Sequence, residues 1–506
     1  MRKLYGVQGG AWETFVEETN ALLSTGTTNR RYEEFRRKYR YDPAGFAMDC
    51  FYWPAGQGIT NYQIRILDEL VDRRRIAVRG PHGIGKSAIA SMAILWFSLT
   101  RDTEDWKIPT TASAHQQLTR YLWPEVAKWR KRLRWSIIGR DPFVEGKEAL
   151  QRELKLDTGR AFPIASTRPE EMEGSHADQQ LFIFDEAKII QEETFDALEG
   201  AFSGAWGNTD REAYAIAIST PGVPSGRFYD IHSHKAGYED WYTMHVTLED
   251  AIEAGRIPKE WADQRKRQWG ENSALYMNRV LGEFCPDDEN GVIPLAWIEA
   301  ANMRWLQWQE DIEEQGAKAL GKVTSIGVDM GRGGDKTVFA LCFDERRVDK
   351  LQYMSNQTMK PVVARAEALL NKHTGAALVP DAIGIGADRF DDEKYKVIPF
   401  VASNKTDRKD RSETFGFANM RAAAWWTMRE ILDPDFDEGV ALPPDDILTG
   451  DLAAPKWREI AGGKIIIQSK EEIKKDLRRS TDAADAVIQA VVGPDLCRKK
   501  RKSSIS

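Results

Sequence analysis

Short apolar runs alternate with longer helical patterns across residues 60–250. Ile76–Val78, Leu181–Phe184 and Tyr214–Ile218 are typical of buried strands, whereas Lys86–Leu99 has the length and spacing of a buried helix. Strands that alternate with helices in this way predict a parallel sheet with crossover helices. We therefore expect an α/β domain in this part of the chain.

A second α/β pattern follows a polar, tryptophan-rich helical stretch at about 250–318. An apolar run from Val323 to Val328 leads through a glycine turn to another strand that ends at Phe343, and Val348–Met354 predicts a neighbouring strand. A helix over about 362–371, a strand ending near Asp381 and late helices complete this pattern. The predicted segments are a helical region (1–55), an α/β domain (56–255), a connector (256–320), a second α/β domain (321–495) and a basic, disordered tail (496–506).

Length and composition narrow the class of protein. A chain of 506 residues is too long for one ordinary domain. The longest nearly apolar stretch, Ala88–Leu99, is shorter than the roughly 20 residues that span a bilayer, and the first ten residues predict no secretory signal. The four cysteines form no CxxC pair, which argues against a disulfide framework and fits a reducing cytosol. A net charge of −7 argues against coating nucleic acid by bulk charge but leaves room for a local basic track.

Residues Gly80–Ser87 fit the phosphate-binding pattern G-x-x-x-x-G-K-[ST] in every position, between a predicted strand and a predicted helix. Lys86 is expected to reach the β- and γ-phosphates, and the Ser87 hydroxyl to ligate Mg²⁺. The alternative is a chance glycine turn. The loop glycines whose neighbouring N–H groups can turn toward a phosphate chain are Gly80, Gly83 and Gly85.

Asp185 and Glu186 directly follow the apolar run Leu181–Phe184. Asp185 is expected to hold Mg²⁺ through water and Glu186 to polarise the attacking water. Two adjacent acids are also compatible with a plain exit from a strand into a loop. Together with the phosphate loop, they predict nucleotide hydrolysis.

Two flanking features extend this prediction. Gln63 lies upstream of the loop, where motor ATPases often place a glutamine that reads adenine; the alternative is an exposed helix residue. Thr220 follows the predicted strand Tyr214–Ile218, and its hydroxyl is placed to sense the γ-phosphate and couple hydrolysis to movement. A simple turn at the strand end is the alternative for Thr220.

Four aspartates in the second α/β pattern predict a metal site. Asp329 and Asp381 each follow an apolar run beside glycines, and Asp482 and Asp485 share one helix face at i, i+3. Three carboxylates from separate elements can hold two Mg²⁺ or Mn²⁺ ions for phosphodiester cleavage. One alternative is that these are unrelated surface aspartates. The other is a sugar-kinase-type ATPase, because the fold that such a strand-end aspartate opens serves nucleases and these ATPases alike.

With both motif sets present, the chain resembles the large terminase subunits of tailed bacteriophages over about residues 55–490. The motifs that carry the resemblance are Asn61–Gln63, Gly80–Ser87, Phe184–Ala187, Ser219–Pro221, Leu281–Phe284, Gly327–Asp329, Asp381–Gly386 and Ser480–Ala486. It implies an N-terminal P-loop NTPase domain with a parallel-rich sheet and a C-terminal RNase H-like nuclease domain.

The resemblance also implies roles for these residues. Hydrolysis falls to Lys86, Ser87, Asp185 and Glu186, coupling to Thr220, and DNA cleavage to Asp329, Asp381 and Asp482. Where the family often has Ser-Pro-Asp, this chain has Ser480–Asp482, so the choice between Asp482 and Asp485 as third metal ligand stays open. The catalytic arginine has two candidates, Arg79 within the subunit and Arg168 acting on a neighbouring one.

The implied cofactors are ATP and Mg²⁺, with Mn²⁺ able to substitute at the nuclease site. The implied partners are double-stranded DNA, the portal protein, the small terminase subunit and further copies of the chain in a ring on the procapsid, with no membrane involved. The expected location is the host cytoplasm and, transiently, the portal vertex. Two alternatives remain, a helicase or repair translocase without nuclease activity and a nucleotide-gated scaffold that is not an enzyme.

Overall fold

The computed structural model describes residues 30–112, 118–165, 176–207, 210–286, 290–331, 336–355, 358–381, 394–436, 438–460, 462–477 and 479–497. The chain divides into two compact units. The first comprises Met1–Pro258 and Leu281–Glu283, and the second comprises Lys259–Val280 and Phe284–Ser506. The five-segment division predicted from the sequence stays a prediction.

A seven-stranded sheet forms the centre of the first unit. Its strands lie in the order β3-β4-β2-β5-β6-β1-β7, and every neighbouring pair is parallel except β3 and β4. The strand bounds are β1 Arg75–Arg79, β2 Trp106–Ala112, β3 Leu154–Lys155, β4 Gly159–Ala165, β5 Gln179–Asp185, β6 Glu212–Ser219 and β7 Tyr242–His245.

Burial explains why the sequence forms these strands. All residues of β5 and of β6 are buried, as expected for continuous apolar runs in the middle of a parallel sheet. The helix Lys86–Thr100 is apolar on nearly every face and is buried along almost its whole length. The parallel α/β architecture predicted from the sequence is present in this unit.

Helices and helical turns connect the strands of the first unit. They cover residues 30–39, Pro43–Asp49, Asn61–Arg73, Lys86–Thr100, Leu118–Leu122, Trp123–Arg130, Trp135–Ile138, Ala187–Ile189, Glu192–Asp196, Glu199–Ala205, Gly226–His232 and Leu248–Glu253.

The second unit contains a six-stranded mixed sheet and a small three-stranded sheet. In the larger sheet β10, β9, β8, β12 and β13 are neighbours in that order, and β11 also pairs with β9. Strand β8 is antiparallel to β9 and parallel to β12. The bounds are β8 Val323–Asp329, β9 Thr337–Phe343, β10 Arg347–Val348, β11 Gln352–Met354, β12 Ala377–Pro380 and β13 Lys396–Val397; the small sheet comprises β14 Gly416–Phe417, β15 Trp457–Ile460 and β16 Lys464–Ile467.

The stretch predicted as one strand over Val348–Met354 forms two, β10 and β11. Both pair with β9, but the intervening residues leave the ladder. There the Lys350 N–H bonds the Asp349 side chain, 2.7 Å away. This is the local side-chain to backbone bonding by which aspartate competes with a strand.

Helices of the second unit cover both faces of its larger sheet. The helices and helical turns of this unit cover residues Lys259–Trp269, Ala274–Tyr276, Met277–Leu281, Leu295–Gln315, Ala317–Leu320, Asp344–Arg346, Met359–Lys372, Met420–Leu432, Pro434–Phe436, Asp446–Ala453, Lys470–Leu477 and Asp482–Leu496. Two separate apolar clusters pack against β9, one containing Val338 and the other Phe339, because successive strand residues point to opposite faces. Among the described residues of the whole chain, no helix is both long and apolar enough to cross a bilayer.

Candidate functional sites

The phosphate-loop motif forms a tight turn between β1 and the helix that begins at Lys86. Gly83 and Gly85 have φ angles of +89° and +80°, in the left-handed region that favours glycine. Gly85 is the N-cap residue of the helix and has no side chain to satisfy the first N–H groups. The loop therefore directs backbone donors and the positive end of a 15-residue helix toward one point.

Lys86 is buried at the base of this loop. Its Nζ atom donates a hydrogen bond to the Pro81 carbonyl oxygen, 3.0 Å away. Burial lowers the pKa of Lys86, and the carboxylates of Glu186 and Asp185 oppose that shift. Ser87, the other motif residue that follows the loop, is half-buried in the first helical turn.

Asp185 and Glu186 stand at the carboxyl end of β5. Burial raises the pKa of Asp185 to about 7, the neighbouring Glu186 adds to the shift, and Lys86 opposes it. Glu186 has a φ angle of +49°, a strained conformation for a residue with a side chain. Its Oε2 atom accepts a hydrogen bond from Ser219 Oγ at 3.0 Å and a longer one from Thr220 Oγ1 at 3.5 Å.

Strand register brings the three motifs of the first unit together. Strand β6 lies between β1 and β5, with Arg79 opposite Ser219 and Asp185 opposite Ile218. The Gly80 N–H also donates to the Ser219 carbonyl oxygen at 3.3 Å. The phosphate loop, the acidic pair and the hydroxyls after β6 thus share the carboxyl edge of one parallel sheet, where α/β proteins bind ligands.

Gln63 lies beneath the phosphate loop and is 1% exposed. Its Oε1 atom accepts from the Thr60 N–H at 3.1 Å, and its Nε2 atom donates to the Ile84 carbonyl oxygen at 3.4 Å. These bonds cap the helix Asn61–Arg73 and tie it to the loop. The adenine-reading role of Gln63 stays a prediction.

Arg79 ends β1, directly before the loop. Its guanidinium donates to the Gly282 carbonyl oxygen at 3.0 Å and contacts the Glu283 carboxylate. The other candidate for a catalytic arginine, Arg168, lies outside the described residues.

The segment Leu281–Glu283, a sequence motif to which no site role was assigned, lies against the phosphate loop. Gly282 approaches the loop so closely that an added Cβ atom would lie 2.8 Å from the Gly80 Cα atom. His245 Nε2 lies 3.2 Å from the Leu281 carbonyl oxygen. The glycine in the Leu281–Phe284 motif was visible in the sequence, but no local pattern indicated which distant backbone it would meet.

In the second unit, Asp329 ends β8 and is 3% exposed. The helix Asp482–Leu496 packs directly on β8, because Gly327 has no side chain to keep it away. A Cβ atom at Gly327 would lie only 2.0 Å from the Ala486 carbonyl oxygen. This close packing brings the first turn of the helix, which carries the other predicted carboxylates, to the end of β8.

Asp485 is buried in that first turn and accepts three side-chain hydrogen bonds. The donors are Trp425 Nε1 at 3.1 Å, Thr481 Oγ1 at 3.0 Å and Lys470 Nζ at 2.9 Å. Burial alone would raise the pKa of Asp485, but Lys470, Arg421 and these hydrogen bonds bring it below its ordinary value. Sequence reasoning identified Asp485 but not Trp425 or Lys470 as its partners.

Lys470 also contacts Asp329. Its Nζ atom lies 3.2 Å from Asp329 Oδ1 and 3.5 Å from Oδ2. Burial holds the pKa of Asp329 well above its ordinary value; Lys470 opposes that shift, while Asp485 and Asp482 add to it. The Lys470 ammonium is therefore shared by two buried carboxylates.

Asp482 and Asp381 complete the predicted set. Asp482 begins the helix, is half-buried, and lies close enough to Asp329 to help raise the pKa of that carboxyl. The Asp381 N–H donates to the Val328 carbonyl oxygen at 3.2 Å, and its side chain lines a small cavity with Asp329 and Asp485. The rest of the Asp381–Gly386 motif lies outside the described residues.

The donor chemistry of this cluster suits a hard divalent cation, because carboxylate oxygens are what Mg²⁺ prefers. The present arrangement does not fit one. Within the described part of the chain, no three His, Cys, Asp or Glu side chains come together closely enough to hold a metal ion. The Lys470 ammonium instead lies against Asp329 and Asp485.

Comparison with known proteins finds a relative in sequence. The chain is 26% identical over 484 residues to the probable large terminase subunit of Enterobacteria phage P7, covering 89% of this chain and 90% of that protein. No family model matches. The resemblance to large terminase subunits that the motifs predict is thereby confirmed.

Solved structures of large terminases are also similar to this chain. The large terminase of a thermophilic bacteriophage is 14% identical with a TM-score of 0.39, covering 86% of this chain and 99% of that one. The magnesium-bound large terminase nuclease of the thermophilic phage G20c is 21% identical with a TM-score of 0.25, covering 33% of this chain and 80% of that one. The α/β fold class predicted for both parts of the chain is confirmed by the two sheets described above.

Proposed function

We propose that this chain, a relative of the large terminase subunits, uses ATP hydrolysis to drive double-stranded DNA into a preformed capsid and cuts that DNA at a separate nuclease site. The observation that supports the motor half most directly is the convergence of the phosphate loop, Asp185–Glu186 and Thr220 on one edge of a parallel sheet. A loop that can bind phosphate, two adjacent carboxylates and a hydroxyl that contacts the Glu186 carboxylate thus lie at the same sheet edge.

In the nucleotide site, each side chain has a role set by its position. Lys86 gives up its bond to the Pro81 carbonyl and binds the β- and γ-phosphates when ATP enters. Mg²⁺ held by Ser87 and Asp185 would neutralise phosphate charge. Glu186 orients the attacking water and accepts its proton, while the burial that surrounds it keeps bulk water out.

Hydrolysis is coupled to movement through Thr220. Its hydroxyl and that of Ser219 both reach the Glu186 carboxylate, so a change at the γ-phosphate alters the end of β6 as well. Arg79 is the candidate for a charge-stabilising arginine within the subunit, and Arg168 for one that acts on a neighbour. Such an arginine contributes about 10³–10⁵ in rate.

In the nuclease site, Asp329, Asp381 and Asp482 are the proposed catalytic carboxylates, with Asp485 in support or as the third metal ligand. Mg²⁺, or Mn²⁺ in its place, would supply the activation of water that phosphodiester cleavage needs. We propose that the nuclease cuts concatemeric DNA when packaging starts and when it ends.

The proposed partners follow from this activity. Double-stranded DNA is gripped through its phosphates, so binding is independent of sequence and falls steeply with salt. Further copies of the chain form a ring with the portal protein at the procapsid vertex in the host cytoplasm, and the small terminase subunit is a further partner. A helicase-type translocase is the second candidate, favoured by the 99-residue spacing (185 − 86) between Lys86 and Asp185, which leaves room for intervening strands.

The test is DNA packaging by the purified chain. Portal-bearing procapsids, linear duplex DNA and ATP are combined, and DNA protected from DNase is measured for wild type, Lys86→Ala and the exposed-site control Lys128→Ala. We expect protection in wild type and in the control and none in Lys86→Ala. Unwinding of a duplex without protected DNA would instead favour the helicase-type translocase.

A further inference from the structure

We propose that Lys470 is a built-in cation of the nuclease site, which holds the carboxylates together in the metal-free protein and must leave before a divalent ion can bind. The inference rests on the proposed nuclease function and adds a residue to it. It explains why the predicted carboxylates meet but leave no place for a metal ion in the arrangement described above.

Three separate elements meet at the Lys470 ammonium. Lys470 is the first residue of the helix Lys470–Leu477, Asp329 ends β8, and Asp485 lies in the helix Asp482–Leu496. The Nζ atom is 2.9 Å from Asp485 Oδ2 and 3.2 Å from Asp329 Oδ1. The ammonium thus bridges two carboxylates that are 156 residues apart in sequence (485 − 329).

Charge makes such a bridge necessary when no metal is present. The side chains of Asp329 and Asp485 are 4% and 8% exposed, and Asp482 lies beside Asp329. Carboxylates this close and this buried repel each other, and an unpaired buried charge is costly. Arg421, on the helix Met420–Leu432, is the other cationic side chain among the described residues that line the cavity, and it also acts on Asp485.

Lys470 is also the member of the cluster that can move. Its side chain is 36% exposed, far more than that of either carboxylate, so part of the lysine stem already reaches solvent. A lysine stem has several rotatable bonds and a compact charge, so the ammonium can swing into water without any change in the backbone. The carboxylates, by contrast, are fixed by β8 and by the packed helix behind it.

Metal and ammonium therefore compete for the same oxygen atoms. Removing the ammonium should strengthen divalent-metal binding and weaken the metal-free fold, and added metal should restore that fold. A lysine with a purely structural role predicts the loss of stability alone. A lysine that stays in place and assists cleavage predicts lost cleavage with no gain in metal affinity.

The experiment is a calorimetric titration of the full-length chain with Mn²⁺, together with thermal unfolding with and without Mn²⁺. Lys470→Met is compared with wild type and with Lys475→Met, an exposed lysine of the same helix. We expect Lys470→Met to bind Mn²⁺ at least about tenfold more tightly, a difference of about 1.4 kcal/mol. We also expect a lower melting temperature without metal that Mn²⁺ restores, and wild-type behaviour from Lys475→Met.

Unchanged or weaker Mn²⁺ binding by folded Lys470→Met would overturn the proposal. If Lys470→Met does not fold in metal-free buffer, recovery of its circular dichroism spectrum on adding Mn²⁺ supports the proposal and a failure to recover contradicts it. The Mn²⁺ titration is repeated with Lys470→Gln, which also removes the ammonium but keeps a polar side chain.

Plasmid cleavage on the same samples separates this inference from the nuclease function. If wild type and Lys470→Met bind Mn²⁺ equally tightly and both cut the plasmid, the proposed role of Lys470 is wrong but the proposed nuclease function stands. If Lys470→Met binds Mn²⁺ more tightly but neither wild type nor any variant cuts the plasmid, the role of Lys470 is supported and the proposed nuclease function is contradicted.

Discussion

The Arg79 guanidinium donates a hydrogen bond to the Gly282 carbonyl oxygen, 3.0 Å away, across 203 residues of sequence. Gly282 belongs to the short segment Leu281–Glu283 that groups with the first unit, whereas the residues on both sides of it group with the second. The segment is therefore joined through the backbone to Val280 and Phe284, which belong to the second unit.

Gly282→Ala is expected to weaken ATP binding at least about tenfold, which is about 1.4 kcal/mol. The added methyl group would lie 2.8 Å from the Gly80 Cα atom and from the Pro81 Cδ atom, so it would displace the phosphate loop. Calorimetric titration with a non-hydrolysable ATP analogue measures the change.

Gly255→Ala is the matched control for Gly282→Ala. Gly255 has a φ angle of +66°, close to the +70° of Gly282, but nothing lies within 4 Å of its added Cβ atom. Both variants carry backbone strain of about 1–2 kcal/mol. Equal loss of ATP affinity in the two would show that strain, rather than contact with the loop, is responsible.

Glu186→Gln is expected to lower the ATP turnover rate by about 10²–10⁴ while leaving ATP binding nearly unchanged. The glutamine carbonyl can still accept from Ser219 Oγ, which is 3.0 Å from the carboxylate, but it cannot take a proton from water. Steady-state turnover and equilibrium binding are measured on one preparation. Glu192→Gln, at an exposed position in the first turn of the helix Glu192–Asp196, should keep wild-type turnover.

Protonation of His232 should lower the stability of the first unit as the pH falls. Burial, with Arg79, His245 and His234, lowers the pKa of His232 from 6.5 to about 3. Because the fold favours the neutral ring, this stability is present above pH 6.5 and is lost as pH falls toward 3. The difference in unfolding free energy between wild type and His232→Asn should shrink in that window by up to about 1.4 kcal/mol per pH unit.

Urea unfolding at about pH 7, 5.5 and 4.5, which lie across that titration window, measures this difference. His234→Asn is the control, because His234 is exposed in the turn that follows His232 and its φ angle of +54° is one that asparagine tolerates. A wild-type minus His232→Asn difference that stays constant with pH would contradict the assignment.

Asp451→Ala is expected to destabilise the second unit by about 3–5 kcal/mol. Asp451 is 0% exposed, pairs with Arg479, and accepts from the Ala483 N–H at 3.1 Å. That bond holds the first turn of the helix that carries Asp482 and Asp485. Plasmid cleavage should therefore fall while ATP turnover is unchanged.

Asp446→Ala is the matched control for Asp451→Ala, since Asp446 pairs with Arg279 at 2.8 Å but its side chain is 54% exposed. Because the Asp446 carboxylate stays in solvent, although its Arg279 partner is only 14% exposed, we expect this pair to contribute less than the buried one, about 1 kcal/mol. Similar losses of unfolding free energy in the two variants would argue against a special role for the buried pair.

Much of this fold was predictable because its signals are local. The apolar run Leu181–Phe184 predicts a buried strand, and the structure has β5 over Gln179–Asp185. The helix predicted over Lys86–Leu99 ends one residue later, at Thr100. In both cases periodicity and burial act within one element, so the sequence alone contains the information.

The surroundings of the sites could not be predicted, because they depend on contacts between distant residues. Lys470 and Asp329 are 141 residues apart, and nothing near Lys470 distinguishes it from the other lysines of its helix. The contact of Gly282 with Gly80 likewise depends on how the chain returns to the first unit. Aspartates at strand ends were recognisable, but not the cation that lies between them.

The most direct test of two separate active sites in one chain is to measure ATP turnover and Mg²⁺-dependent plasmid cleavage on the same preparations of wild type, Lys86→Ala and Asp329→Ala. We predict that Lys86→Ala loses turnover and still cuts, and that Asp329→Ala loses cutting and still hydrolyses ATP. Cleavage that survives in Asp329→Ala, or loss of both activities in either folded variant, would contradict the account.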